Sequence, residues 1–187
     1  MLCPYNGYNT STYITYTRYK PMKERIFVAL DVETTGLQAG VDEIIEFAAV
    51  KFRGGEILER FSQLIAPRQP LPIKITRLTG ITPGDLADAP RFNDVGGKIV
   101  SFIKSYPLVG HSISFDLKML TSQGMSFSQP VYDTFDLATI LLPQIAVYKL
   151  GAIADRLGIP HPADHRALND AEVTAHVFTH LLGVIEA

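Results

Sequence analysis

The stretch Val28–Leu37, VALDVETTGL, sets Asp31 and Glu33 into an otherwise apolar run that contains no Lys or Arg. In an extended chain residues two apart share a face, so the two carboxylates project together while Leu30 and Val32 point the other way. Like charges held side by side at the edge of a core call for a positive partner. An all-oxygen pair suits a hard cation, Mg²⁺ or Mn²⁺, better than zinc. A D-x-E pair alone is more often a solvated strand end, so this chemistry needs further acids. Asp116 lies just inside a helix that Ser114 could cap, with Met119 and Leu120 following at i+3 and i+4 on the inward side. An Asp there is also favoured simply by the positive helix N-terminus. Asp170 is followed at helical spacing by Val173, Val177 and Leu181, which puts a carboxylate on an apolar stripe. His165, five residues earlier, falls on the turn entering that helix, where an imidazole can swing above a site rather than pack within it.

The elements that must carry these residues can be read from periodicity and turn chemistry. Ile26 to Val32 reads as a first strand. EIIEFAAVKF and EILERFSQLI read as two more, joined at Arg53-Gly54-Gly55, whose glycines supply the positive φ of a tight hairpin. ITRLTGITPGDL is expected to be a loop, and Phe92 to Tyr106 a helix through Phe92, Val95, Ile99, Phe102 and Ile103. PLVG is a short strand feeding a helix over Ser114–Gln123. PVYD is a last strand, followed by helices over 134–142, 149–157 and 167–185. Strands first, then strand and helix in alternation, imply an α/β domain with a mixed sheet and helices packed on it.

The 187 residues, 47% of them hydrophobic, fit one domain with a real core. Five of the eight tyrosines fall within the first 19 positions and the first acid is Glu24, so residues 1–24 read as a flexible N-terminal tail and 25–187 as the domain. TYITYTRY could instead add an edge strand, and Met22 is a plausible alternative start. No apolar run is long enough to cross a bilayer, and the N-terminus lacks the apolar segment of a signal peptide. The lone Cys3 allows no internal disulfide, so the expected location is cytoplasmic, with no membrane partner. A formal charge of −2 argues against a long basic track, leaving any nucleic-acid contact local. No G-x-x-x-x-G-K-[ST] is present, so no ATP-driven motor is encoded.

Taken together, DVETTGL, GHSISFD and HRALND resemble the DEDDh branch of the DnaQ-like 3′→5′ exonucleases. The similarity extends through LTGIT, VYDT and YKLGAIADRLGI, from about Ile26 to Leu182. It implies a ribonuclease H-like fold with a five-stranded mixed sheet flanked by helices. It also implies that Asp31, Glu33, Asp116 and Asp170 hold two divalent cations, Mg²⁺ or Mn²⁺, and that His165 is the general base. The unperturbed imidazole pKa near 6.5 suits that role, and the product would be a nucleoside 5′-monophosphate. Two dications would change the formal charge from −2 to about +2 and remove the repulsion facing a phosphate. Thr34, Thr35, Gly36 and Leu37 are implied to line the 3′-terminal nucleotide pocket, with Leu37 wedged against the base, and His111 and Ser112 to stand beside the substrate. Ser112 departs from the family's usual Asn, which puts the support given there in question. The blocks look most like exonuclease domains of bacterial polymerase III type, including those joined to DinG-like helicases. Single-stranded or frayed DNA 3′ ends are therefore the expected substrate, with a polymerase or helicase as the expected partner.

Rival readings are an exoribonuclease trimming RNA and a non-catalytic module of the same fold that binds nucleic-acid ends. The latter would be marked by loss of an acid or of the histidine, and none is lost. His161 with His165, and His176 with His180, have the i, i+4 spacing of zinc ligands, but no Cys accompanies them and no H-E-x-x-H is formed. Asp133 and Asp136, at a strand-to-helix junction, read as helix-start chemistry.

Overall fold

The computed structural model describes residues 21–162 and 165–186. Three antiparallel strands, β1 (Phe27–Thr34), β2 (Ile44–Arg53) and β3 (Glu56–Leu64), are followed by two short ones, β4 (Leu108–Gly110) and β5 (Val131–Asp133), both running parallel to β1. The sheet order is β3-β2-β1-β4-β5, so the mixed five-stranded sheet expected from the sequence is present with β1 at its centre. Gly54 and Gly55 turn the β2–β3 hairpin at φ of 56° and 87°.

A central strand buried on both faces needs apolar residues on both. Val28, Leu30 and Val32 pack with Val95, Ile99 and Phe102 of α3 (Phe92–Ile103) and Met119 and Leu120 of α4 (Ser114–Ser122). Phe27 and Ala29 pack on the other side with Ala175, Phe178 and Leu182 of α7 (Ala167–Ile185). α5 (Thr134–Leu141) and α6 (Leu150–Leu157) contribute Ala138, Ile153 and Ala154 to a third cluster with Val173, Val177 and Leu181 of α7. Strand alternation therefore assigns Asp31 and Glu33 to the α7 side, in line with Phe27 and Ala29.

Two expectations need correction. ITRLTGITPGDL is not a loop: α1 (Ile73–Thr79) ends on Gly80 at φ 73°, and α2 (Pro83–Leu86) starts from Thr82 in a reciprocal capping box with Asp85. The glycine and proline that read as loop punctuation are a helix stop and a helix start. Ser114 does not cap α4, because the cap position is Ile113 and no side chain serves it. Of the segment assigned to a flexible tail, residues 1–20, with TYITYTRY, lie outside the described residues. Met22–Glu24 form a 3-10 turn, with Met22 packed on the core and Lys23 3.8 Å from Glu186. Among the described residues no helix is long and apolar enough to cross a membrane.

Candidate active site

Asp31 and Glu33 leave β1 toward the first turn of α7, where Asp170 is 9% exposed. One carboxylate oxygen from each of these three residues lies within 4.8 Å of the others. Asp116, 3% exposed, stands next to that set rather than within it, and its Oδ1 accepts the Val32 N–H at 3.0 Å. The bond ties α4 to the backbone between the two β1 acids. Val32 belongs to β1, so the register of the central strand and the position of Asp116 are set together.

The electrostatics follow from this crowding. Burial raises the Asp31 carboxyl well above the usual range, and the charges of Asp116, Glu33 and Asp170 push it the same way. Glu33 is raised to about 8 by burial, Asp170, Glu46 and Asp116, against a lowering contribution from Arg166. Asp116 is raised to about 7, chiefly by burial, while the Val32 N–H holds it down. Carboxylates in this state accept either protons or a cation.

An open cavity of about 860 Å³ adjoins the cluster, lined by Asp31, Asp170, His111, Ser112, His161 and His165 among others. His165 is exposed there. The following residue is anchored: Arg166 donates from Nε and Nη2 to Glu46 at 3.1 and 2.8 Å, and the Ala167 N–H donates to the same carboxylate at 3.1 Å. Glu46, on β2 and 1% exposed, thus clamps the segment between His165 and α7.

His111 Nδ1 is 3.0 Å from Thr134 Oγ1, whose own proton goes to the Gly110 carbonyl at 3.1 Å. The hydroxyl is therefore free to accept from Nδ1–H, and the ring also makes a hydrogen bond to the Tyr148 backbone. Burial lowers the His111 pKa. Ser112 adopts φ 57°, in the left-handed region that Asn tolerates better than Ser. It is held by Asp133, which accepts the N–H groups of Ser112, Ile113 and Phe135 at 2.9, 3.0 and 2.9 Å. The expected helix-start role of Asp133 is present, and the same carboxylate also fixes the loop leading to Asp116.

Thr34 ends β1, and Thr35, Gly36 and Leu37 form the turn after it. Thr34 Oγ1 donates to the Gly36 carbonyl at 2.6 Å, and Thr35 Oγ1 donates to Asp42 at 3.2 Å while accepting the Glu43 N–H at 3.0 Å. A Cβ on Gly36 would stand 2.5 Å from the Asp42 carboxylate, so the close approach that requires glycine is to Asp42. Leu37 is 85% exposed.

Among the described residues the three acids are the only His/Cys/Asp/Glu group of ligating geometry. In the histidine pairs, His180 Nδ1 contacts the His176 carbonyl at 3.0 Å, and His161 Nε2 lies 3.1 Å from Asp170 Oδ1. Sequence reasoning missed Glu46 and Arg166, Asp42, and the place of His161. Only Glu46 carried a signal, as an acid inside the apolar run IIEFAAV that had to meet a partner.

The family model RNase_T, described as Exonuclease, matches residues 28–178. The PolC-type DNA polymerase III of Bacillus cereus is 37% identical over 95% of this chain, and that of Thermotoga maritima 38% over 81%. The chain spans only 13% and 11% of those two proteins. Among solved structures, exonuclease X in complex with 5′-overhanging duplex DNA is 28% identical with a TM-score of 0.72, the match covering 86% of this chain and 93% of that one. The nuclease domain of 3′hExo, a DEDDh family member bound to rAMP, has a TM-score of 0.75 over 86% of this chain and 92% of that one. At 22% identity, it is a likeness of fold alone.

Proposed function

The chain belongs to the exonuclease family, and from that premise we propose that it is a cation-dependent 3′→5′ exonuclease acting on single-stranded or frayed DNA ends. The observation that carries the reading is the convergence of Asp31, Glu33 and Asp170, with Asp116 at their back, beside a cavity that His165 faces.

The donor set fits divalent cations. It is all oxygen, the carboxyls of Asp31, Glu33 and Asp116 are raised by burial and by neighbouring acids, and Arg166, which lowers Glu33, is bidentate on Glu46. Asp31, Glu33, Asp116 and Asp170 would hold a pair of Mg²⁺ or Mn²⁺ ions. Bound there, the ions supply charge stabilisation at the scissile phosphate and activation of water.

The chain's own side chains do the rest. His165, exposed at the cavity, takes a proton from the attacking water. The Glu46–Arg166 clamp keeps its segment at the mouth of the site. Leu37 offers an exposed apolar surface against which a terminal base can stack without being read. Thr34 and Thr35 spend their hydroxyls on the turn and so act through its shape. His111 and Ser112 border the substrate path.

DNA is preferred over RNA because of the polymerase III relatives and the DNA-bound exonuclease X. The same relatives favour work at 3′ ends made by a polymerase. The test is side-by-side degradation of matched 3′-OH DNA and RNA oligonucleotides with Mg²⁺ or Mn²⁺ and with chelator. Release of nucleoside 5′-monophosphates, faster from DNA and stopped by chelator, is expected. Activity undiminished by chelation would overturn the mechanism, and faster RNA trimming would overturn the substrate.

A further inference from the structure

His161 enters the active-site cavity from the segment after α6, and its Nε2 lies 3.1 Å from Asp170 Oδ1 with the side chain 20% exposed. The other edge of the ring rests on α6 at Gly151. A Cβ added to that glycine would stand 3.1 Å from His161 Nδ1 and 3.2 Å from Cε1. The imidazole therefore occupies a slot made by a missing side chain, which fixes it, whereas His165 is exposed.

Resting on the cation reading above, we propose that His161 is a positioning residue for Asp170, its Nε2–H holding Oδ1 so that the carboxylate keeps the orientation in which it joins Asp31 and Glu33. Rotation of a carboxylate about its last torsion is soft. Asp170 also faces repulsion from both of those neighbours, since its charge raises each of them. A hydrogen bond from a ring that is itself packed opposes that rotation. His161 acts through Asp170, because its nitrogens fall outside the set of ligand atoms that lie within 4.8 Å of one another. Partners of ligating groups commonly govern metal affinity by about 10–100-fold. Two imidazoles then divide the work, one placing an acid and one moving a proton.

The experiment is calorimetric titration of the whole chain with Mn²⁺ alone, comparing wild type with His161→Ala, His161→Gln and Gly151→Ala. His161→Ala should weaken binding by about 10-fold or more, and His161→Gln, whose amide can donate to the same oxygen, should recover most of the loss. Gly151→Ala should keep the thermal midpoint, since alanine favours a helix, yet weaken Mn²⁺ binding by crowding the ring. Wild-type affinity in either His161→Ala or Gly151→Ala would overturn the proposal. A loss in His161→Ala that glutamine leaves unrepaired would also overturn it, in favour of direct ligation. If the wild-type chain itself binds no Mn²⁺, it is the cation reading that falls.

Discussion

Glu33 and Glu46 face each other across β1 and β2 in the same register, and the chain treats them in opposite ways. Glu46 is buried with its carboxylate engaged by both arms of Arg166 and by the Ala167 N–H. Glu33 has acids for neighbours and is raised to about 8. A buried charge is tolerated when it is paired and hydrogen-bonded. On β2 the protein provides that pairing and gains a fixed strap before α7. On β1 it leaves the counter-charge to come from solution, as a proton or a cation. The difference separates a carboxylate that holds shape from one whose neighbours leave it open to a proton or a cation.

The sharpest way to break this comparison is Asp31→Asn. With several kcal/mol of transition-state charge stabilisation at stake, nuclease turnover should fall on the order of 10⁴-fold or more. The metal-free fold should meanwhile become more stable at pH 8. The sign follows from linkage. Glu33 keeps its proton in the fold up to about 8 but loses it near 4.5 when unfolded, and Asp116 behaves likewise between 3.8 and about 7. The fold therefore binds more protons across that window, and its metal-free stability declines as pH rises through it. Thermal melts from pH 5 to 9 should show this decline, reduced in Asp31→Asn and offset by Mg²⁺. A flat wild-type profile would refute it.

His165→Ala should cost about 10²–10⁴-fold in turnover while leaving Mn²⁺ affinity intact. An equal fall in affinity, read by calorimetry, would reassign the residue from proton transfer to ligation. On the shape-holding side, Glu46→Gln should lower stability by about 2 kcal/mol in denaturant melts. That lies between buried and surface pairs, because the Arg166 side chain is 41% exposed. No change would mean that the clamp is ornamental and the contrast between the two glutamates empty. The smallest effect is expected at the rim: Ser112→Asn, at φ 57°, should stabilise by up to about 1 kcal/mol. A loss of stability there would show that Asp133 already absorbs the strain.

Much of this arrangement is legible without coordinates, because periodicity and turn residues act locally. The two-residue repeat of β1 places Asp31 opposite Val32, the stripe Val173, Val177, Leu181 turns Asp170 inward, and glycines mark the β2–β3 hairpin. The same local reading failed at residues 75–86, where Gly80 and Pro83 signal helix ends as readily as a loop. It failed again at Ser114, whose helix start is held by a carboxylate from another strand.

The amino-acid sequence by itself determined which face each acid occupies, since backbone geometry sets side-chain direction within an element. Only the tertiary structure decided which groups meet: Glu46 with Arg166, Asp133 with the Ser112 loop, and His161 with Asp170. Those encounters depend on how β1, β2, α6 and α7 pack against one another. Distances between elements far apart in the chain are fixed by the burial of all their neighbours at once, and no local window of residues contains that information.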